Sequence, residues 1–273
     1  MTGALVIIGG RERKESDNVI LQEVARRVRG GRLVLATVAS SEPEGYFEAY
    51  RPAFEELGIT DLVELYVENR EEAHDSAKLA LLDGAAGVYF TGGDQLRITS
   101  QIGDTPLERR IYDLHRQGVV IAGTSAGASV MSDTMLVRGA GAESHRVGDL
   151  RMAAGLGLVK DIVIDQHFAE RGRIGRLLGA VSQNPRTLGI GIDEDTAIVV
   201  EGDAFRVIGS GAVTIVDGHR ITHSNIADAA SDRVLEKSGF QYEGTLRQKA
   251  WFKGAFHDFR MFGRIAGDAA SAN

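Results

Sequence analysis

Short unbroken apolar runs alternate with amphipathic stretches along the first half of this chain. Ala4–Ile8 reads as a buried strand that stops at Gly9-Gly10, and Val19–Val28 carries the apolar repeat of a helix. Arg32–Val38, Leu62–Tyr66, Gly87–Phe90 and Val119–Ala122 read as further strands, with Tyr46–Leu57, Glu71–Leu82 and Thr105–Gln117 as helices. Continuously apolar strands separated by helices predict an α/β fold, a mostly parallel sheet with helices on both faces. Ligands of such sheets bind at the carboxyl ends of the strands. That rule puts Gly9-Gly10, Gly92–Gln95 and Gly123–Gly127 on one rim.

The pattern loosens after residue 130. Leu136–Leu150 is Gly-rich and reads as loop. Ile162–Ile164 reads as a strand running into Asp165-Gln166-His167-Phe168, followed by a helix over Arg173–Val181. From Thr187 the chain is β-rich, with strands expected at Gly189–Ile192, Thr196–Val200, Ala204–Ile208 and Ala212–Val216. The Gly, Asp and Asn residues between them suit hairpins at a sheet edge.

Composition narrows the function. A chain of 273 residues suits one large domain or two small ones. With 43% hydrophobic and 25% charged residues it has an ordinary globular balance, which excludes a disordered or collagen-like chain. A net charge of −7 argues against a nucleic-acid partner. There is no cysteine, so disulfides, thiolate metal sites and cysteine nucleophiles are excluded. No apolar run approaches the ~18 residues of a membrane span. The first residues lack the basic segment of a signal peptide, so no membrane partner and a cytoplasmic location are expected.

Gly123-Thr124-Ser125-Ala126-Gly127 follows an apolar strand and precedes a helical pattern, Ala128–Leu136. This is the context of a nucleophile elbow, in which a sharp turn exposes the serine hydroxyl. The free N–H of Ala126 at a helix start suits an oxyanion. A serine nucleophile needs a base. Of seven histidines, His74 and His115 fall on polar helix faces and are expected to be solvated. His145 falls in the Gly-rich stretch, His219 and His223 flank a turn, and His257 lies near the C-terminus. Only His167 ends a buried strand, where it can reach the rim. The imidazole needs an orienting carboxylate, and Asp193-Glu194-Asp195 offers three between two strands. The pattern alone leaves that choice open.

Gly-Thr-Ser-Ala-Gly-Ala at 123–128, Thr-Gly-Gly-Asp-Gln at 91–95, Asp-Gln-His-Phe at 165–168 with Arg-Gly-Arg at 171–173, and Gly-Ile-Gly-Ile-Asp-Glu-Asp-Thr-Ala at 189–197 resemble the cyanophycinases. These belong to a serine peptidase family that also contains aspartyl dipeptidases. The resemblance runs from about residue 3 to about residue 228, and it implies a class I glutamine amidotransferase-like fold with a β-rich C-terminal part. It also implies Ser125 as nucleophile, His167 as base and Glu194 as acid, with no cofactor and no metal. Oxyanion donors are expected from Ala126 and from Gly93 and Asp94. The implied substrate is cyanophycin, a polyaspartate carrying arginine on each side-chain carboxylate, released as β-Asp-Arg dipeptides. Asp165 is then expected to accept a guanidinium, Arg171, Arg173 and Arg176 to clamp carboxylates, and Gln95 and Gln166 to position amides. A homodimer is also expected.

Residues 231–265 resemble something else, the last helix and strand of a GNAT acetyltransferase of the ribosomal-protein type. Ser231–Phe240, Tyr242-Glu243-Gly244, Leu246-Arg247, Gly254, His257 and Asp258 carry the likeness. The Gly-rich loop that cradles acetyl-CoA pyrophosphate is missing, so no acetyltransferase activity is expected. The chain is accordingly expected to divide into a peptidase domain over 1–228, a helix-plus-hairpin fragment over 229–266 docked on the sheet edge, and a disordered tail over 267–273.

Three other readings compete. An aspartyl dipeptidase-like enzyme keeps the triad and changes the substrate to small aspartyl peptides. A non-catalytic binding protein of the amidotransferase-like fold is a second. A dinucleotide-binding protein is a third, suggested by Ile7-Ile8-Gly9-Gly10, but the rest of the Gly-x-Gly-x-x-Gly fingerprint is absent.

Overall fold

Leu5–Ile8 is a run of four apolar residues, all buried, and forms the first strand, β1. The computed structural model describes residues 2–15, 17–41, 43–138, 150–219, 241–252 and 255–263, with side chains described up to residue 219 except at Glu44 and Arg138. The expected helix over 231–240 and tail over 267–273, together with His145 and His223, lie outside the described residues.

After β1 come α1 (Val19–Val28), β2 (Arg32–Ala36), α2 (Glu44–Glu56), β3 (Leu62–Leu65), α3 (Ser76–Ala80) and β4 (Ala85–Phe90). Then follow α4 (Gln95–Ile102), α5 (Pro106–Arg116), β5 (Val120–Thr124) and the single turn α6 (Ala126–Ser129). The second half adds β6 (Thr134–Arg138), β7 (Arg151–Ala154), β8 (Ile162–Gln166), α7 (Ile174–Gln183), β9 (Leu188–Ile192), β10 (Thr196–Glu201), β11 (Ala204–Gly209) and β12 (Val213–Val216). A hairpin of β13 (Gln241–Phe252) and β14 (Ala255–Gly263) closes the described chain.

Seven strands form the main sheet in the order β11-β10-β1-β5-β4-β2-β3. The five from β1 to β3 run parallel, and β10 and β11 extend the sheet antiparallel from β1. Side chains alternate across a strand, so each buried strand feeds two cores. Leu5 and Ile7 join a core under α4 and α5, with Ile98, Leu107 and Ile111. Val6 and Ile8 join the opposite core under α1 and α2, with Leu21, Val24 and Phe54. A second sheet, β12-β9-β8, shares the first core through Ile164 and Ile190, and α7 covers its other face through Leu177 and Ala180.

Several boundaries differ from expectation for identifiable reasons. The stretch expected as one helix over Glu71–Leu82 breaks at Asp75, which is extended and accepts a bond from Ala77 N–H at 2.8 Å, capping α3. Helix α4 was not foreseen. Its signal is Asp94, an N-cap that accepts from Leu96 N–H at 2.9 Å. The helix expected over Ala128–Leu136 ends after one turn. The carbonyls of Val130, Met131 and Ser132 are taken by the N–H groups of Leu156, Val159 and Gly157, so no helical bond can follow. The segment continues instead as β6, paired with β7, where a loop was expected. His115 is buried at the end of α5 rather than solvated, and burial lowers its pKa.

One ion-pair cluster ties α1 to the sheet edge. Glu23 accepts from Arg26 at 2.9 Å, from Arg27 at 2.7 Å and from Arg206 of β11, while Arg27 also pairs with Glu201 at 3.0 Å. Partial burial acts to raise the Glu23 pKa, and the arginines outweigh it and hold it at about 2. The unfolded value is about 4.3. A depressed folded pKa gives stabilisation that is present above the unfolded value and lost as pH falls through the folded one. Glu23→Gln should therefore lower the urea midpoint at pH 7, and the gap to the wild type should close as pH falls toward 3. Midpoints taken at pH 7, 5 and 3 check this.

Candidate active site

Strand β5 ends in a turn that only small residues can make. A Cβ on Gly123 would lie 2.6 Å from the carbonyl carbon of Gly127, and one on Gly127 would lie 2.7 Å from Phe90 Cβ. Between them Ser125 adopts φ +53° and ψ −109°, a conformation that L-residues rarely occupy. Its N–H donates to Ile8 O at 3.0 Å, which pins the elbow to β1.

His167 follows β8 and is fixed by its backbone, with its N–H donating to Gly9 O at 2.8 Å. Its Nε2 lies 2.9 Å from Ser125 Oγ, and its Nδ1 lies 2.6 Å from Glu194 Oε1. A carboxylate only accepts, so Nδ1 carries the proton and Nε2 is left to accept from the serine hydroxyl. Burial pushes the His167 pKa down, the Glu194 hydrogen bond pulls it up, and the charges of Arg171 and Arg173 push it down again. The net shift is downward, so the imidazole stays neutral at pH 7.

The three acids between β9 and β10 separate cleanly. Asp193 accepts from Ala169 N–H and Ala212 N–H, each at 3.0 Å. Asp195 accepts from Arg13 N–H at 3.0 Å and from the Ser210 hydroxyl at 2.7 Å. Both fasten loops, and only Glu194 reaches the imidazole. The Glu194 N–H is itself bonded to the Glu170 carboxylate at 3.2 Å.

The Gly9-Gly10 pair works as a bracket, a role that nothing in its sequence signals. Gly9 O receives the His167 N–H, and Gly10 O receives the Asp195 N–H at 2.8 Å. A Cβ on Gly10, whose φ is +113°, would lie 2.6 Å from His167 Nε2. The glycines are filled on both sides by this site.

The remaining expected site residues fall into two groups. Gly93 and Ala126 keep backbone N–H groups that make no hydrogen bond among the described residues, and a Cβ on Gly92 would lie 3.6 Å from Ser125 Cβ. Asp94 differs from expectation, because its N–H donates to Ala39 O at 2.9 Å and is not free for an oxyanion. Asp165 is wholly buried, and its oxygens accept from Arg176 Nε at 2.9 Å and Arg173 Nη1 at 3.1 Å. Its carboxylate therefore anchors two arginines of its own chain rather than standing open to a substrate guanidinium. Arg173 and Arg176 are buried with it, and burial holds the Arg173 pKa down at about 10. Gln166 Oε1 accepts from Arg173 at 2.6 Å, and Gln95 Nε2 donates to Leu136 O at 2.8 Å, so both amides are engaged within the protein. Arg171 is exposed beside the site. Among the described residues no cluster of His, Asp or Glu is arranged to hold a metal ion, and no helix is long and apolar enough to cross a membrane.

A serine on a strained strand-to-helix turn, hydrogen-bonded to an imidazole that is hydrogen-bonded to a glutamate, is the apparatus of a serine peptidase. Comparison with known proteins gives the family: residues 5–208 match peptidase family S51, and the chain belongs to it. It is 39% identical over 239 residues to a cyanophycinase of Geminocystis herdmanii, covering 86% of this chain and 88% of that one. It is 41% identical over 226 residues to a cyanophycinase of Trichormus variabilis, covering 81% and 76%. Among solved structures, a peptidase from an acI-B1 actinobacterium superposes with a TM-score of 0.64 at 26% identity, covering 80% of this chain and 92% of that one. The family match ends before residue 231, and these relatives give no support to the acetyltransferase resemblance of residues 231–265.

Three outcomes are expected of this site. The acid limb of kcat/KM should titrate below the ordinary imidazole value of about 6.5. Arg171→Gln should move that limb upward, because a positive charge that disfavours the imidazolium is removed. Gly10→Ala should leave the protein folded by circular dichroism and remove most of its activity, because the added methyl displaces the His167 ring.

Proposed function

We propose that this chain is a serine exopeptidase that hydrolyses cyanophycin to β-Asp-Arg dipeptides. The observation that carries the reading is the unbroken line from Ser125 Oγ through the His167 ring to Glu194, in a chain whose relatives are named cyanophycinases. Ser125 Oγ attacks the backbone carbonyl carbon of an aspartyl residue while its proton passes to His167 Nε2. Glu194 stabilises the imidazolium, and the N–H groups of Ala126 and Gly93 receive the oxyanion. The carbon–nitrogen bond then breaks and the leaving amine takes the proton from His167. Water, deprotonated by His167, cleaves the acyl-enzyme and restores the serine hydroxyl.

The surroundings suit a substrate that presents carboxylates. Two arginines on one aspartate leave the buried cluster with one positive charge in excess, and Arg171 adds a second at the surface. Both Arg171 and Arg173 act on the His167 pKa, so their field reaches the reacting atoms. That field favours a carboxylate end of the polymer near the scissile bond, while Asp165 acts by holding Arg173 and Arg176 in place.

The same reading takes the fold as class I glutamine amidotransferase-like, consistent with an elbow at the end of a central parallel strand. It divides the chain near residue 228, since β13 and β14 pair as a two-stranded sheet of their own. It also carries a cytoplasmic location and a homodimer, the latter tested by light scattering of the purified chain.

Dipeptide release from purified insoluble cyanophycin is the direct test. The wild type should release β-Asp-Arg and Ser125→Ala should release none. Glu194→Gln should lower kcat on the order of 10³-fold or more, because the imidazole loses its tautomer and its counter-charge. Release of nothing by a folded wild type that cleaves small aspartyl peptides would replace the polymer with those peptides as substrate.

A further inference from the structure

Directly behind the nucleophile lies a carboxylate that the reaction above does not use. Glu12 is only 3% exposed. Among the described residues no lysine, arginine or histidine pairs with it. Its partners are three hydroxyls: Tyr50 and Tyr89 (2.7 Å) donate to Oε1, and Thr124 donates to Oε2 at 2.6 Å. Burial and then the charge of Glu12 push both tyrosine pKa values well up, so both remain donors. Taking a carboxylate out of water is costly, and a core position between two tyrosines would be filled more cheaply by an apolar side chain.

Thr124 immediately precedes Ser125, and its side chain is fixed by Glu12 beside Tyr50 and Tyr89, which belong to the core under α1 and α2. The peptide between the two residues leads into the strained elbow, and such a conformation persists only where its surroundings determine it. The segment that carries Glu12 also holds the other two members of the site. Gly9 O takes the His167 N–H, Gly10 O takes the Asp195 N–H, and Arg13 N–H binds the Asp195 carboxylate. Residues 9–13 thus touch the residue before the nucleophile, the base and the loop of the acid. Glu12 is the point at which that segment is fastened to the nucleophile's strand.

We propose that Glu12 is a positioning residue for Ser125, acting through the Thr124 hydroxyl to hold the elbow in register with His167. The inference rests on Ser125 being the nucleophile, as proposed above. It predicts a defect in reactivity rather than in substrate affinity.

The test compares the wild type, Ser125→Ala, Glu12→Gln, Thr124→Val, Thr124→Ser and the double variant Glu12→Gln/Thr124→Val. Each is checked for fold by near-ultraviolet circular dichroism. Reactivity is read as the rate of labelling by a fluorophosphonate, which reports the serine without any polymer, and as kcat and KM for dipeptide release. Glu12→Gln and Thr124→Val should each lower kcat and the labelling rate by about tenfold or more, equivalent to about 1.4 kcal/mol of barrier, with KM within about twofold. Thr124→Ser, which keeps the hydroxyl, should recover most of the lost rate. The double variant should be little worse than the poorer single one, as expected for two groups acting through one contact.

Folded Glu12→Gln or Thr124→Val protein that labels at the wild-type rate would overturn the proposal. So would a Thr124→Ser variant as impaired as Thr124→Val, since the defect would then follow shape and not the hydrogen bond. Because Thr124→Val removes the contact without touching the buried carboxylate, a Glu12 variant that fails to fold leaves the proposal open to refutation. A wild type that labels no better than Ser125→Ala would instead remove the nucleophile itself, and this inference with it.

Discussion

In the parallel pairing of β1 with β5, Ile8 lies opposite Thr124, and the site depends on that register. It brings Gly9 and Gly10 level with Ser125, where a backbone without side chains can pass between the elbow and His167. A one-residue slip would exchange the two faces of β1. Leu5 and Ile7 would then point into the core under α1 and α2, and Val6 and Ile8 into the core under α4 and α5. Both cores resist the change, so hydrophobic packing spread over the whole sheet secures the position of one hydroxyl.

Three of the eight described non-glycine residues with positive φ fall in the segments that carry the site's serine, histidine and acids. Ser125, His167 and Asp195 are non-glycine residues with φ near +50°, one in each of the three segments that form the site. Each such conformation costs about 1–3 kcal/mol. Each is also held by a backbone bond to β1 or the residues just after it: Ser125 N–H to Ile8, His167 N–H to Gly9, and Asp195 N–H to Gly10. Three consecutive carbonyls therefore offset three strained turns. The common anchor explains how segments 42 and 27 residues apart meet within hydrogen-bonding distance.

The parts of this arrangement visible in the sequence are those that depend on local pattern. Apolar runs and helical repeats marked β1, α1 and β5, and the glycines around Ser125 marked the elbow. The choice among Asp193, Glu194 and Asp195 was not visible, because the three acids are chemically alike and only the direction of the loop separates them. The helix expected after Gly127 failed because distant N–H groups capture its carbonyls, an effect no local propensity records. The same holds for Asp94, whose N–H looked free until Ala39 was placed opposite it. Asp165 was expected to meet a substrate guanidinium and Arg173 and Arg176 to clamp carboxylates, whereas their pairing with one another depends on how α7 packs on β8. Glu12 gave no signal at all, since a glutamate among Arg11, Arg13 and Lys14 reads as one more charge on a solvated loop.

The insertion of β10 beside β1 has a consequence for how the protein comes off the ribosome. Leu5 pairs with Val200, so β1 waits for nearly two hundred further residues before its free edge is covered. His167 and Glu194 are likewise made long after Ser125. A nascent chain that has emerged only as far as α6 holds its serine on an elbow with neither imidazole nor glutamate. Chain order thus leaves Ser125 without imidazole or glutamate until the loop after β9 has been made.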